Sequence, residues 1–277
     1  MLPFAKGKTL YMLEKDFSYT GFIEQLLSVG RLSFTIEEII KKTGYNRKTV
    51  QVSLSRLIQK KKVALIRRGF YVIITPEFSA QATIPPILYI DDLMQYLKKE
   101  YYLSLLSAAA LHGAAHQQPM LFFVTTEAPS IRNIISDKWH IVFNIKQKWD
   151  KNSVKPIKTR TGYLNVSTPE ATMLDMVENQ RSFGLGRVIT IVEELCEKVN
   201  KSSLRSIASK YPVPIIQRLG YILDVLLNKK EFVPILLTLL SKKNIKPQYF
   251  SLSAKKKGIL NAQWQLIVND TIENNLL

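Results

Sequence analysis

Acidic residues are scarce in this sequence: 22 Asp and Glu stand against 39 Lys and Arg, a formal net charge of +17 over 277 residues. The shortage is sharpest over residues 39–76, where no acid occurs at all. A chain so unbalanced is expected to meet a polyanion, either nucleic acid or an anionic membrane surface. The membrane is the weaker option. The most apolar stretches, at 103–115 and 232–240, are too short to span a bilayer, and no apolar signal segment opens the chain. A cytoplasmic protein without membrane association is expected. Cysteine is nearly missing too, and Cys196 alone cannot close an intramolecular disulfide, which agrees with a reducing compartment. Within "RVITIVEELCEKV" it should pack as a small apolar side chain.

Histidine is also rare, with His112, His116 and His140 only. The first two stand four apart in "LHGAAHQQP", a spacing that could offer two imidazoles to one metal on a helix. Gly113 lies between them and no Cys, Asp or Glu is near in sequence, so a helix terminus is the better reading and no metal is expected. Catalytic signatures are missing as well. There is no Gly-Ser followed by Asp-x-Asp, no Glu-x-Lys, no G-x-S-x-G, and "GKT" at 7–9 lacks the upstream glycine of a phosphate loop. Asp91-Asp92, Glu170 and Asp175 read as helix-start charges and a surface or capping pair. No catalytic residue, no cofactor and no enzymatic activity are expected.

What is present divides unevenly. The length allows two domains and 46% hydrophobic residues suffice for packed cores. Residues 1–80 carry 14 Lys and Arg against 6 acids, whereas residues 81–277 carry 25 against 16 over more than twice the length. The dense positive field therefore belongs to the N-terminal part. There, "TGFIEQLLSVG" places Phe22, Ile23, Leu26 and Leu27 on one helical stripe ending at Gly30. In "FTIEEIIKKTG", Thr35 is the expected N-cap and Gly44 the stop. Asn46 then caps a basic amphipathic helix, "YNRKTVQVSLSRLIQKK". Two helices across a glycine turn, the second one basic, form the helix-turn-helix pattern. The following "VALIRRGFYVI" is two short β-prone runs joined at Arg68-Gly69, which adds a wing.

In such a winged helix-turn-helix the third helix enters the major groove and the wing reaches flanking phosphates of double-stranded DNA. With Val50, Leu54, Leu57 and Ile58 facing the core, the expected DNA-binding residues are Asn46, Arg47, Lys48, Thr49, Gln51 and Ser55, with Arg56, Lys60, Arg67 and Arg68 at the rim and wing tip. Gln51 and Arg47 can read base edges, while the lysines mainly position the protein. A second basic stretch, "KQKWDKNSVKPIKTR", contains Lys146, Lys148, Lys151, Lys155, Lys158 and Arg160. It is either a solvated loop or an auxiliary contact to DNA or another partner.

"TPEFSAQATIPPILYI" has three prolines and no helical period, so an extended connection is expected, with domains at 1–82 and 83–277. Beyond it, helices at "DDLMQYLKKE" and "YYLSLLSAAALHGAA" are followed by β-prone runs at 120–126 and 140–145 and by a hairpin about Thr161-Gly162. Thr168 caps a helix with Pro169 at its first position, longer helices run at about 185–199 and 214–228, and "WQLIVND" is a closing strand. The fold class is α+β, a winged helix-turn-helix domain followed by a larger mixed α+β domain.

Several strings, in order, resemble the AbiE-type antitoxins of type IV toxin–antitoxin systems: "YYLSLLSAAALHGAAHQQP", "NVSTPEATMLDMV", "QRLGYILDVL" and "WQLIVND". The basic N-terminal stretch resembles that family's winged helix-turn-helix. The resemblance implies a DNA-binding domain that represses its own operon by binding an operator, and a C-terminal antitoxin domain that counteracts a nucleotidyltransferase-like toxin without a stable complex. It supplies no toxin contacts residue by residue. Read from the residues alone, a one-component regulator with an effector-sensing second domain stays open.

Overall fold

The computed structural model of the protein describes residues 17–114, 121–136 and 138–270. The "GKT" stretch and His116 lie outside the described residues. Contacts divide the chain into two units, Met1–Asp92 and Leu93–Leu277.

The first unit runs α1 (Tyr19–Ser28), β1 (Ser33–Thr35), α2 (Ile36–Thr43), α3 (Arg47–Gln59), β2 (Val63–Arg67) and β3 (Phe70–Ile73). The expected caps are in place: Thr35 Oγ1 accepts from the Glu38 N–H and Asn46 Oδ1 from the Thr49 N–H, each satisfying a donor of the first turn. Gly44 closes α2 with φ 72°. Phe22, Leu26, Ile36, Ile39, Val50 and Leu54 meet Phe34, Val63, Tyr71 and Ile73 of the strands in one core. Burying side chains of this size stabilises by about 1.5–3 kcal/mol each. Ile58 is the exception. It was expected on the core face and is exposed, because it lies past the buried Val50–Leu54 edge, where Leu57 only partly packs.

β1, Ser33–Thr35, has no period long enough to read from the sequence. It exists because β3 offers it an edge, pairing Ser33 with Val72 and Thr35 with Phe70 to give the order β1-β3-β2. β2 and β3 form the wing, with Gly69 at φ 83° in the turn, a conformation that would strain a side-chain-bearing residue. The proline-rich connection is not extended. Two 3-10 turns, Pro76–Gln81 and Pro86–Leu88, each begin with a proline, whose fixed φ suits a first helical position. Ile84, Tyr89 and Ile90 are buried, Tyr89 lies against Phe70, and the Ser33 hydroxyl donates to Asp92.

α4 (Ile90–Tyr96) leads into the second unit, which continues β4 (Tyr101–Leu103), α5 (Leu105–Leu111), β5 (Leu121–Thr126), β6 (Ile134–Ile135), β7 (His140–Ile145), β8 (Val154–Thr159) and β9 (Gly162–Ser167). These strands make one mixed sheet, order β6-β7-β5-β4-β9-β8, with β5/β7 and β4/β9 parallel and the other pairs antiparallel. Helices follow: α6 (Pro169–Glu178), α7 (Gln180–Phe183), α8 (Leu185–Cys196), α9 (Lys201–Ala208), α10 (Val213–Tyr221) and α11 (Val233–Leu240). They share a core with Leu106, Phe123 and Trp264, and Cys196 packs into it as a small apolar group. A π turn, Ile222–Leu226, continues α10. β10 (Gln248–Tyr249), β11 (Ile259–Asn261) and β12 (Leu266–Val268) form a small second sheet, order β10-β12-β11.

The α+β class stands as expected. "YYLSLL" was expected to open a helix, but Tyr101–Leu103 is a strand and α5 starts only at Leu105. Aromatic and branched residues at three successive buried positions favour the centre of a sheet, where β4 is paired on both sides.

Candidate functional site

α3 presents exposed polar and cationic side chains. Arg47, Lys48, Gln51, Val52 and Ser55 are all exposed on it, while Val50 and Leu54 are buried. Lys48, Gln51, Arg56 and Lys60 have exposed side chains without a partner among the described residues. Asn46 and Thr49 are engaged with each other, since Asn46 Oδ1 accepts from both the N–H and the hydroxyl of Thr49. Ser55 donates its hydroxyl back to the Gln51 carbonyl. Arg47 pairs with Glu37 at 2.8 Å, and both side chains are about half exposed. An exposed pair of this kind is worth about 0.2–1 kcal/mol, so Arg47 exchanges it readily for a better anion. Arg68 stands exposed at the wing turn, with Arg67 half-buried beside it. Val52 was missed by the sequence reading. An apolar side chain 49% exposed in the middle of a polar face was invisible to a search for charge.

The second basic stretch separates into two groups. Lys146 turns inward, its ammonium donating to Asp175 Oδ1 at 3.0 Å and lying over the Tyr211 ring. Lys148, Lys151, Lys155, Lys158 and Arg160 are exposed. Lys155, Pro156 and Lys158 belong to β8, the edge strand of the six-stranded sheet, where lysine and proline also discourage pairing with another chain. Lys151 and Lys155 line a groove of about 440 Å³ with Asn152, Ser202, Ser203 and Ser206. Two ammonium groups, an amide and three serines line it, and no carboxylate does.

The acids of α6 are not surface charges. Glu170 is buried and accepts from the Asn200 N–H at 2.8 Å, tying α6 to the cap of α9. Asp175 is buried and also accepts from the Tyr211 hydroxyl at 2.6 Å. Their partners come from elements 29 and more residues away, which no local spacing discloses. His112 donates Nε2–H to the Ser167 carbonyl, and burial holds its pKa below the usual value, with Lys198 pulling the same way and the Ser167 bond opposing. Among the described residues no cluster of His, Cys, Asp and Glu is suited to a metal.

"QRLGYILD" has a structural task. Gln217 Nε2 donates to the carbonyls of Lys246, Trp264 and Gln265, Arg218 Nε donates to Tyr249, and Asp224 Oδ2 accepts from the Trp264 indole at 2.8 Å. At Gly220 a Cβ would collide with the Trp264 ring. The string therefore clasps the small C-terminal sheet.

Three helices, a three-stranded sheet and a basic third helix give the first unit the element order of a winged helix-turn-helix, joined in one chain to a larger α+β unit. Within the latter, residues 102–225 match the family described as the AbiEi antitoxin C-terminal domain, the family whose strings the sequence resembles. The match lies wholly within the second unit, which is thus similar to that antitoxin domain over those residues. Among solved structures, the crystal structure of the RV2827C protein from Mycobacterium tuberculosis has a similar fold, with TM-score 0.66, 17% identity and 90% of each chain covered. None of the curated proteins matches. No helix among the described residues is long and apolar enough to cross a membrane.

Proposed function

We propose that this protein is an antitoxin of a type IV toxin–antitoxin system that represses its own operon through the first unit and opposes a nucleotidyltransferase-like toxin through the second. The match of residues 102–225 to an antitoxin domain carries the reading. DNA binding is assigned to residues 1–82 and antitoxicity to 83–277. The acid-free α3 and wing, with Lys48, Gln51, Arg56 and Lys60 projecting unpartnered, support insertion of α3 in the major groove of operator DNA. Arg47 leaves Glu37 for a guanine edge or a phosphate, Gln51 reads adenine, and Val52 offers an apolar contact to a thymine methyl. Asn46 and Thr49 hold the helix start, and the wing arginines lie along flanking phosphates. The groove at Lys151 and Lys155, with the exposed Lys148, Lys158 and Arg160, is an auxiliary phosphate contact. Protection works on the toxin's effect without a stable complex and without catalysis by this chain.

The test is growth of cells expressing the neighbouring toxin gene, with this protein supplied from an unrelated promoter. The full chain should restore growth, and so should an Arg47→Ala/Gln51→Ala variant that no longer binds the operator. Failure of the intact, soluble protein against an active toxin would refute the antitoxin assignment.

A further inference from the structure

We propose that the cavity at the carboxyl ends of β5 and β7 binds a guanidinium or primary ammonium group that carries a hydrogen-bond acceptor beside it. The cavity measures about 340 Å³, within the range of small-molecule sites. Thr125 and Asn144 line it from the ends of the two parallel strands, Tyr102 from β4, and Asp175 and Glu178 from the second half of α6, with Lys146 beside them. The carboxyl ends of adjacent parallel strands are where open sheets hold ligands.

The unused valences define the ligand. Asp175 Oδ1 is already taken by Lys146 Nζ and the Tyr211 hydroxyl, but Oδ2 receives no bond from a described residue. Glu178 has no hydrogen-bond or ion-pair partner among the described residues. Desolvation holds its carboxyl above the usual range, against the pull of Lys146 and with help from Asp175, as befits a carboxylate short of a counter-ion. Both acids lie toward the C-terminal end of α6, whose exposed carbonyls add partial negative charge. Two carboxylates against one ammonium leave this cavity locally negative in a chain of net charge +17. A cation is therefore the complement.

Asn144 supplies the second half of the specification. Its Nδ2 is buried with no hydrogen-bond partner among the described residues, an unsatisfied donor that a carbonyl, hydroxyl or carboxylate of the ligand would satisfy once the amide turns toward the cavity. Leu105, on the same wall, has φ 52°, a left-handed conformation that a leucine rarely adopts and that marks a place held in shape by its surroundings. An arginine supplies both groups, whether as the free amino acid or as a residue of a protein segment.

Isothermal titration of the full chain with arginine, with its neutral isostere citrulline and with an arginine-containing peptide blocked at both ends tests this. Arginine should bind at least about tenfold more tightly than citrulline, consistent with loss of a charge-assisted bond. Glu178→Gln should weaken it by a similar factor while melting like the parent, and Lys60→Ala on α3 should leave it unchanged. Tighter binding of the peptide identifies a protein segment as the source, and tighter binding of free arginine a small molecule. Absence of saturable binding at millimolar arginine, equal binding of citrulline, or an unchanged affinity in Glu178→Gln would overturn the proposal.

Discussion

Gly220 and His112 show how single positions in the second unit are set by partners far along the chain. The Trp264 ring occupies the space where a side chain at 220 would begin, so Gly220→Ala forces the indole off its bond to Asp224. Overpacking of this kind costs about 1–3 kcal/mol, and more when a buried bond breaks with it. Thermal denaturation should show the melting temperature of the variant lowered by several degrees. His112 makes a pH prediction. Its folded pKa lies below the unfolded value of about 6.5, so the unfolded chain takes up a proton that the folded chain refuses. The stability associated with neutral His112 is present above pH 6.5 and is lost as pH falls toward the lower folded value. Urea denaturation at pH 8 and pH 5.5 should show a smaller loss in His112→Gln than in the parent.

At the scale of elements, the proposed DNA recognition by α3 predicts that its residues separate by effect. Arg47→Ala and Gln51→Ala should each relax base preference by about 1–3 kcal/mol at one position of the site, read by anisotropy on operator variants. Val52→Ala should narrow only the preference for thymine. Lys60→Ala should weaken all sequences alike. α1, α2, α3 and the wing were legible because each carries its own signal: Thr35 and Asn46 as caps, Gly44 and Gly69 at positive φ, Val50 and Leu54 at helical spacing. β1 was not, because three residues hold no period and the strand exists only through β3. The same division separates Thr168, a cap visible in the sequence, from Asp175, whose meaning depends on Lys146 and Tyr211 from distant elements. The cavity that Asp175 and Lys146 line was illegible for that reason.

Across the whole molecule, the net charge of +17 predicts an affinity for DNA that falls steeply with salt. The exposed lysines of the second unit should contribute a definable share. Replacing Lys148, Lys151, Lys155 and Lys158 with glutamine should reduce the slope of log K against log salt by up to about 1 for each lost phosphate contact. An unchanged slope would leave Lys155 and Lys158 as guards of the sheet edge and nothing more. Lys146 is engaged with Asp175 and should not add to the slope.

The clasp of Gln217, Arg218 and Asp224 on the segment around Trp264 also has a consequence for the order of synthesis. The first unit is compact by its own contacts, and N-terminal domains generally fold first during synthesis. Helix α10 and the turn after it depend on residues made later: Gln217 and Arg218 bond to Lys246 and Tyr249, and Gln217 and Asp224 also to Trp264. A nascent chain therefore presents its first unit before its second is complete, and under the proposed function a message cut short before codon 264 should yield a chain that still represses but gives no protection.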